Sequence, residues 1–129
     1  MGGVAALSVA APAPFRFTAK LQPFTARAAG RHGLPVLVHC SHACDLRIWL
    51  RTRRGRGLRT LAAYRRTETE IAKPWSRTVL RLPRRMGLAA LLSRKADARL
   101  DFVAADAQNQ KRARRLALQP LVRRQRVPR

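Results

Sequence analysis

Acidic side chains are scarce: six Asp and Glu stand against 28 Lys and Arg in 129 residues, a formal net charge of +22. A chain this unbalanced cannot neutralise itself by internal ion pairing. Self-repulsion opposes its compaction and draws in polyanions, of which nucleic acid is the commonest. The few acids also leave little for catalysis. Glu68 and Glu70 stand beside Arg65 and Arg66, and Asp97 and Asp101 alternate with Arg94 and Arg99, so all four read as local charge partners on helices. There is no Gly-rich phosphate loop, no spaced pair of mechanistic carboxylates and no Ser-based elbow. The sequence does not read as an enzyme and implies no cofactor.

Large apolar residues are also few. Of the 47% counted as hydrophobic, 22 residues are Ala and only 31 are Leu, Ile, Val or Phe. Burial and chain entropy then nearly cancel, and partial order is expected. No run approaches the roughly 20 apolar residues that span a bilayer, because the longest charge-free stretch, Met1 to Phe15, is broken by Pro12 and Pro14. Two cysteines, Cys40 and Cys44, are too few for a disulfide framework in a chain of this length, and nothing in the composition argues for secretion.

What is abundant is arginine, 24 residues against four Lys. The guanidinium is a planar fork of donors that suits phosphate and stacks on bases, so RNA or DNA fits better than a plain counterion role. Gly, Ala, Arg and Pro supply 7, 22, 24 and 8 residues, the signature of GC-rich codons. A GC-rich genome normally supplies acids freely as well. Their deficit suits either a specialised nucleic-acid binder or the product of an alternative reading frame with no selected function.

No acid precedes Asp45, while Arg16, Lys20, Arg27 and Arg31 stand among Ala, Ser and Thr. That is the composition of a mitochondrial or plastid transit segment, with nuclear or nucleolar addressing by the basic blocks as the alternative. Residues 1–32 are therefore expected to be disordered or transit-like, with cleavage between Arg16 and Gly33. A helix over Phe15 to Arg27 would align Phe17, Leu21 and Phe24, but Pro23 spoils it.

From Gly33 onward structure is expected. Val36 to Cys40 is short, β-branched and introduced by Pro35, and Leu46 to Arg51 alternates apolar with basic positions. The two read as strands of a hairpin joined by Ser41 to Asp45. Beyond the glycines of Arg53-Arg54-Gly55-Arg56-Gly57, the residues Leu58, Leu61, Ala62 and Arg65 predict a short helix closed by Pro74, and Arg77 to Leu82 a third strand. The Ala-rich stretch from Leu88 to Leu118 predicts a long helix, since Leu88, Leu92, Ala96, Leu100, Val103 and Ala107 make a helical stripe. The expected fold is α+β and partly disordered: a small β-hairpin or three-stranded sheet plus a long C-terminal helix over residues 33–119, with disordered tails at 1–32 and 120–129.

Basic charge falls in blocks: eight Arg in Arg47 to Arg66, seven basic residues in Lys73 to Lys95, and eight in Lys111 to Arg129. Neutralising phosphates with such blocks releases counterions and rewards binding at low salt. Trp49, between Arg47 and Arg51, adds a stacking surface, and the Arg-Gly steps a flexible loop. The expected nucleic-acid contacts are Arg47, Trp49, Arg51, Arg53, Arg54, Arg56, Arg59, Arg112, Arg114, Arg115, Arg123, Arg124 and Arg126. The bland alternatives are core or edge packing for Trp49 and a solvated surface for the arginines.

His39, Cys40, His42 and Cys44 put four zinc-capable side chains in six residues. One tight loop would have to wrap them around a tetrahedron, whereas structural zinc sites draw pairs from separated knuckles, so no metal site is assigned to them. Cys40 and His39 are adjacent strand residues that point to opposite faces and make no nucleophile and base. The functional expectation is a small basic structural protein of a ribonucleoprotein particle, organellar and ribosome-associated, binding RNA before DNA. The competing readings are the alternative-frame product and a small metal-binding protein.

Overall fold

The computed structural model describes residues 14–54, 57–68, 75–83 and 97–121. Its elements in chain order are β1 (Phe17–Leu21), α1 (Ala26–His32), β2 (Leu34–Cys40), β3 (Cys44–Arg54), β4 (Gly57–Glu68), β5 (Ser76–Leu80), β6 (Asp97–Asp106) and β7 (Lys111–Ala117). The strands form two antiparallel sheets, one of order β1-β2-β5 and one of order β4-β3-β6-β7. The core lies between them, where Phe17, Val36 and Val38 of the first sheet meet Leu46, Ile48, Leu100 and Phe102 of the second. The rings of Phe17 and Phe102, 6.1 Å apart, join the two layers.

This order is a Greek key. In the constant-type immunoglobulin sandwich, strands numbered along the chain form sheets 1-2-5-4 and 3-6-7. Here β4 pairs with β3 instead of β5. Architecture of this kind hosts many activities and assigns none.

The period of two explains β2 and β3. Along β2 the even positions Leu34, Val36, Val38 and Cys40 are buried, and along β3 so are Cys44, Leu46, Ile48, Leu50 and Thr52. The expected hairpin between them does not exist. Residues 41–43 cross from one sheet to the other, and a Cys40–Cys44 disulfide, with Cα atoms 6.3 Å apart, ties the end of β2 to the start of β3. Two cysteines suffice here because the bridge staples a crossing that the core already supports.

The long C-terminal helix is replaced by strands. Beneath the helical stripe lay a second pattern, Ala98, Leu100, Phe102 and Ala104, which β6 turns inward against Thr52, Leu50, Ile48 and Leu46 of β3. Alanine's helix propensity is overridden by tertiary context, since β6 pairs with β3 on one side and with β7 on the other. The turn after β6 is built by Asp106, whose carboxylate accepts from the Gln110 backbone N–H at 2.7 Å, and by Asn109 at φ 61°. The remainder of the expected helix, residues 88–96, lies outside the described residues. The short helix expected from Leu58 is β4, whose register against β3 shifts beside Leu50 and Arg51, so that Leu61 and Ala62 both pack against the core. The third expected strand is β5.

Nor is the N-terminal segment disordered from residue 14 onward. Phe15, Phe17, Phe24 and Ala29 are buried, and β1 pairs with β2 from Phe17↔Cys40 to Leu21↔Val36. Thr25 caps α1 by accepting from the Ala28 N–H at 3.1 Å. Gly33 ends it at φ 96°, where a Cβ would meet the Leu80 carbonyl oxygen at 2.6 Å. Cleavage anywhere between Leu21 and Gly33 would remove β1 and bare the edge of β2.

Side chains close both flanks of the sandwich. On one, Tyr64 Oη donates to the Arg81 carbonyl at 2.5 Å and Arg66 bonds to Thr78. On the other, the Phe15 N–H donates to Gln110 Oε1 and Arg114 Nε to the Phe17 carbonyl, both at 3.4 Å.

Two measurements check this account. Closing a loop of about five residues stabilises by about 2 kcal/mol, so reduction of the disulfide should lower the urea-unfolding free energy by that amount and leave the strand circular dichroism in place. Burial raises the Tyr64 phenol above its ordinary 10.0. The folded state then holds this proton more tightly than the unfolded chain, so its contribution is complete below pH 10 and is lost as pH rises through the folded value. Tyr64→Phe should cost about 1 kcal/mol at pH 7 and flatten the alkaline loss of stability.

Candidate nucleic-acid interface

Because the inner positions of β3 and β6 are apolar, the alternate positions all face outward on one sheet. Register lines them up in rows. One row runs Ala63, Trp49, Asp101, Arg115 across β4, β3, β6 and β7. The row on one side holds Arg65, Arg47, Val103 and Ala113, and the row on the other Thr60, Arg51, Arg99 and Ala117. Arg53 and Lys111 extend the same face towards its two ends. Among the described side chains this face carries Arg47, Arg51, Arg53, Arg65, Arg99, Lys111 and Arg115 against the carboxylates of Asp45 and Asp101.

Asp101 organises the middle. Its Oδ2 accepts from Arg51 Nη1 at 2.9 Å and from Arg99 Nε at 3.2 Å, and its Oδ1 from Arg115 Nε at 3.3 Å. The carboxylate faces outward yet is almost wholly covered, because three guanidinium groups lie over it. Arg51 also reaches Thr60 Oγ1 at 3.2 Å, and its Cζ lies 5.1 Å from the Trp49 ring centroid. Arg51 thus lies over the Trp49 ring, and an aromatic plane and a guanidinium plane are the two kinds of surface on which unstacked bases rest. An open groove of about 400 Å³ runs over Trp49, Arg51, Arg99, Asp101, Val103 and Arg115. A second, of about 270 Å³, continues past Arg53 and Ala117. Arg65 bonds to Asp45 at 3.3 Å in an exposed pair of little energetic weight.

Of the expected contacts, Arg47, Trp49, Arg51, Arg53 and Arg115 share this face. Arg59 is exposed on β4 but pairs with Thr52, on the opposite side of the strand. Arg112 and Arg114 likewise alternate away from Arg115, along the flank towards β1. The side chain of Arg54, and Arg56, Arg123, Arg124 and Arg126, lie outside the described residues. The sequence reading missed Arg65, Arg99, Lys111 and Asp101. The i, i+2 spacing of Arg99 and Asp101 would have signalled a shared strand face had the segment not been assigned to a helix.

The other sheet presents a smaller basic and aromatic cluster. Lys20 Nζ sits 4.6 Å from the Trp75 ring centroid and His39 stands 6.1 Å from the same ring, with Arg77 nearby on β5. Leu37, Pro35 and Val79 interrupt it with apolar surface.

The four zinc-capable residues are dispersed. His39 faces outward against Trp75 and His42 lies 6.0 Å from the Phe15 ring. The sulfurs of Cys40 and Cys44 are bonded to each other and buried, so neither is a thiolate ligand in this form. Among the described residues no group of three or more His, Cys, Asp or Glu could hold a metal ion, and no helix is long and apolar enough to cross a membrane. No protein-family model matches the chain, and no curated protein matches its sequence.

Proposed function

We propose that this chain binds single-stranded nucleic acid, RNA before DNA, on the outer face of its four-stranded sheet, as a structural component of a nucleoprotein particle. The observation that carries this reading is the placement of Trp49, stacked with Arg51, at the centre of a basic sheet face. An open sheet face with an aromatic at its middle suits splayed bases, and surrounding arginines suit the phosphates between them. Among the described residues nothing on this face is a helix that could enter a duplex groove. The reading of an unselected frame loses ground to the regular alternation of β2, β3 and β6, which turns Leu34, Val36, Val38, Leu46, Ile48, Leu50, Leu100 and Phe102 inward, away from the arginines. The basic segments beyond residue 121 add charge to the same end of the chain.

The disulfide bears on where this happens. Such bridges persist in oxidising surroundings and are rare where thiols are kept reduced. That favours an exported or intermembrane setting over the organelle matrix that the N-terminal composition suggests and over the nucleus that the basic blocks suggest.

Titration of single strands, duplexes and heparin over a range of salt tests the reading. If about six phosphates are contacted, log K for single strands should fall against log salt with a slope near roughly −4, and Arg47→Ala should reduce that slope by up to about 0.7. Trp49→Ala should weaken single-strand binding by about 1–3 kcal/mol with the slope unchanged, since stacking releases few ions. Unchanged binding by Trp49→Ala, or oligonucleotide affinity equal to heparin affinity at every salt concentration, would overturn it.

A further inference from the structure

We infer that Asp101 is a positioning residue, which turns three arginines into a defined site for one backbone phosphodiester beside an unpaired base on Trp49. This rests on the nucleic-acid reading above and deepens it. A simple cationic patch has no use for a carboxylate at its centre, because an acid there repels the very ligand the patch attracts. Asp101 is nevertheless held in the middle of the face, 13% exposed, and among the described residues it makes three ion pairs, each to an arginine of that face.

The chemistry of the cluster explains the placement. Three guanidinium groups and one carboxylate leave a local charge of +2, enough to receive a phosphodiester. Each guanidinium has five N–H donors, and Asp101 takes a single close contact from each of the three. Arg51, Arg99 and Arg115 all line the open groove, and Arg51 spends one further donor on Thr60 Oγ1. Ordering long arginine side chains normally weakens a binding site, but here the ordering is done in the free protein, by Asp101. Arg99 and Arg51 are 19% and 28% exposed and so held in place, whereas Arg115, 67% exposed, can swing onto a ligand. Trp49 is the direct cross-strand partner of Asp101, so a phosphate on the cluster lies next to a base on the ring.

Charge counting and preorganisation predict opposite outcomes for Asp101→Asn. The variant is one unit more positive, so a patch acting through charge alone would bind every polyanion more tightly. The positioned site predicts that a short oligouridylate binds about five- to tenfold more weakly, while heparin binds as well as before or better. Asp101→Glu should recover part of the loss. Fluorescence anisotropy of labelled oligouridylate with the full chain reads these affinities. Emission of Trp49 in a Trp75→Phe background should show less quenching at saturation in the Asn variant, a change that altered stability alone would not give.

If Asp101→Asn fails to fold in a thermal melt, a second pair of variants decides. Arg115→Gln and Arg47→Gln remove the same charge from the same face, but only Arg115 touches Asp101. The loss for oligouridylate should be several-fold larger for Arg115→Gln, and equal losses would overturn the inference. So would an Asp101→Asn variant that binds oligouridylate as tightly as the parent or more so. If the parent protein shows no preference for oligouridylate over heparin, the underlying nucleic-acid reading fails first, whatever the variants do.

Discussion

A chain carrying 28 basic side chains and six acidic ones can close a core only if nearly every charge is kept out of it. The extended strand meets that constraint at the smallest scale available, because consecutive side chains point to opposite faces. In β3 the residues Leu46, Ile48 and Leu50 go inward while Arg47, Trp49 and Arg51 go outward, without any residue in between having to be neutral. An amphipathic helix would need a broad apolar stripe on one side. With so few large apolar residues, pairing strands into two facing layers buries more per residue than a helix laid on a small sheet. The same alternation that makes the core also concentrates guanidinium groups on the opposite surface, so fold and candidate site are two consequences of one pattern.

Two of the acids, Asp101 and Asp106, are placed where they hold structure together. Asp106 accepts from the backbone and side-chain nitrogens of Gln110 and so shapes the β6 to β7 turn, and Asp101 gathers three arginines that would otherwise repel one another. Closure of the flanks falls to neutral or donor groups, Tyr64 and Gln110 among them. The bridge between Cys40 and Cys44 adds a covalent tie at a crossing between the sheets, where a sandwich with a modest core gains from one.

How much of this was legible in the sequence depended on which pattern dominated each segment. β2, β3 and β5 could be read because β-branched or alternating residues stand between prolines and glycines. β6 could not, because its inward residues include Ala98 and Ala104, and alanine at alternate positions is indistinguishable from alanine on a helix. β7 carries Lys111, Arg112, Arg114 and Arg115 and has no apolar face to betray it; its partner β6 makes it a strand. β1 was hidden by a transit-like composition, although Phe15, Phe17 and Phe24 were available as core residues. The alternation of Leu46 to Arg51 therefore put Arg47, Trp49 and Arg51 on one side of a strand, while Arg53 read as part of the loop that follows. It could not show that Arg99, Asp101 and Arg115 join them, because those contacts depend on a pairing across about fifty residues. The disulfide was missed for a similar reason: Cys40 and Cys44 were weighed as loop ligands, and only the crossing between sheets gives their bridge a purpose.

The central claim is spatial: one face of one sheet, centred on Trp49, receives the ligand. Backbone and indole N–H resonances followed by nuclear magnetic resonance during titration with a single-stranded oligonucleotide test it most directly. The account predicts that shifts concentrate at Arg47, the Trp49 indole, Arg51, Arg99 and Arg115, while Lys20, Leu37, Trp75 and Arg77 of the other sheet move little. Shifts of equal size over both sheets, or a set centred on Trp75, would contradict it.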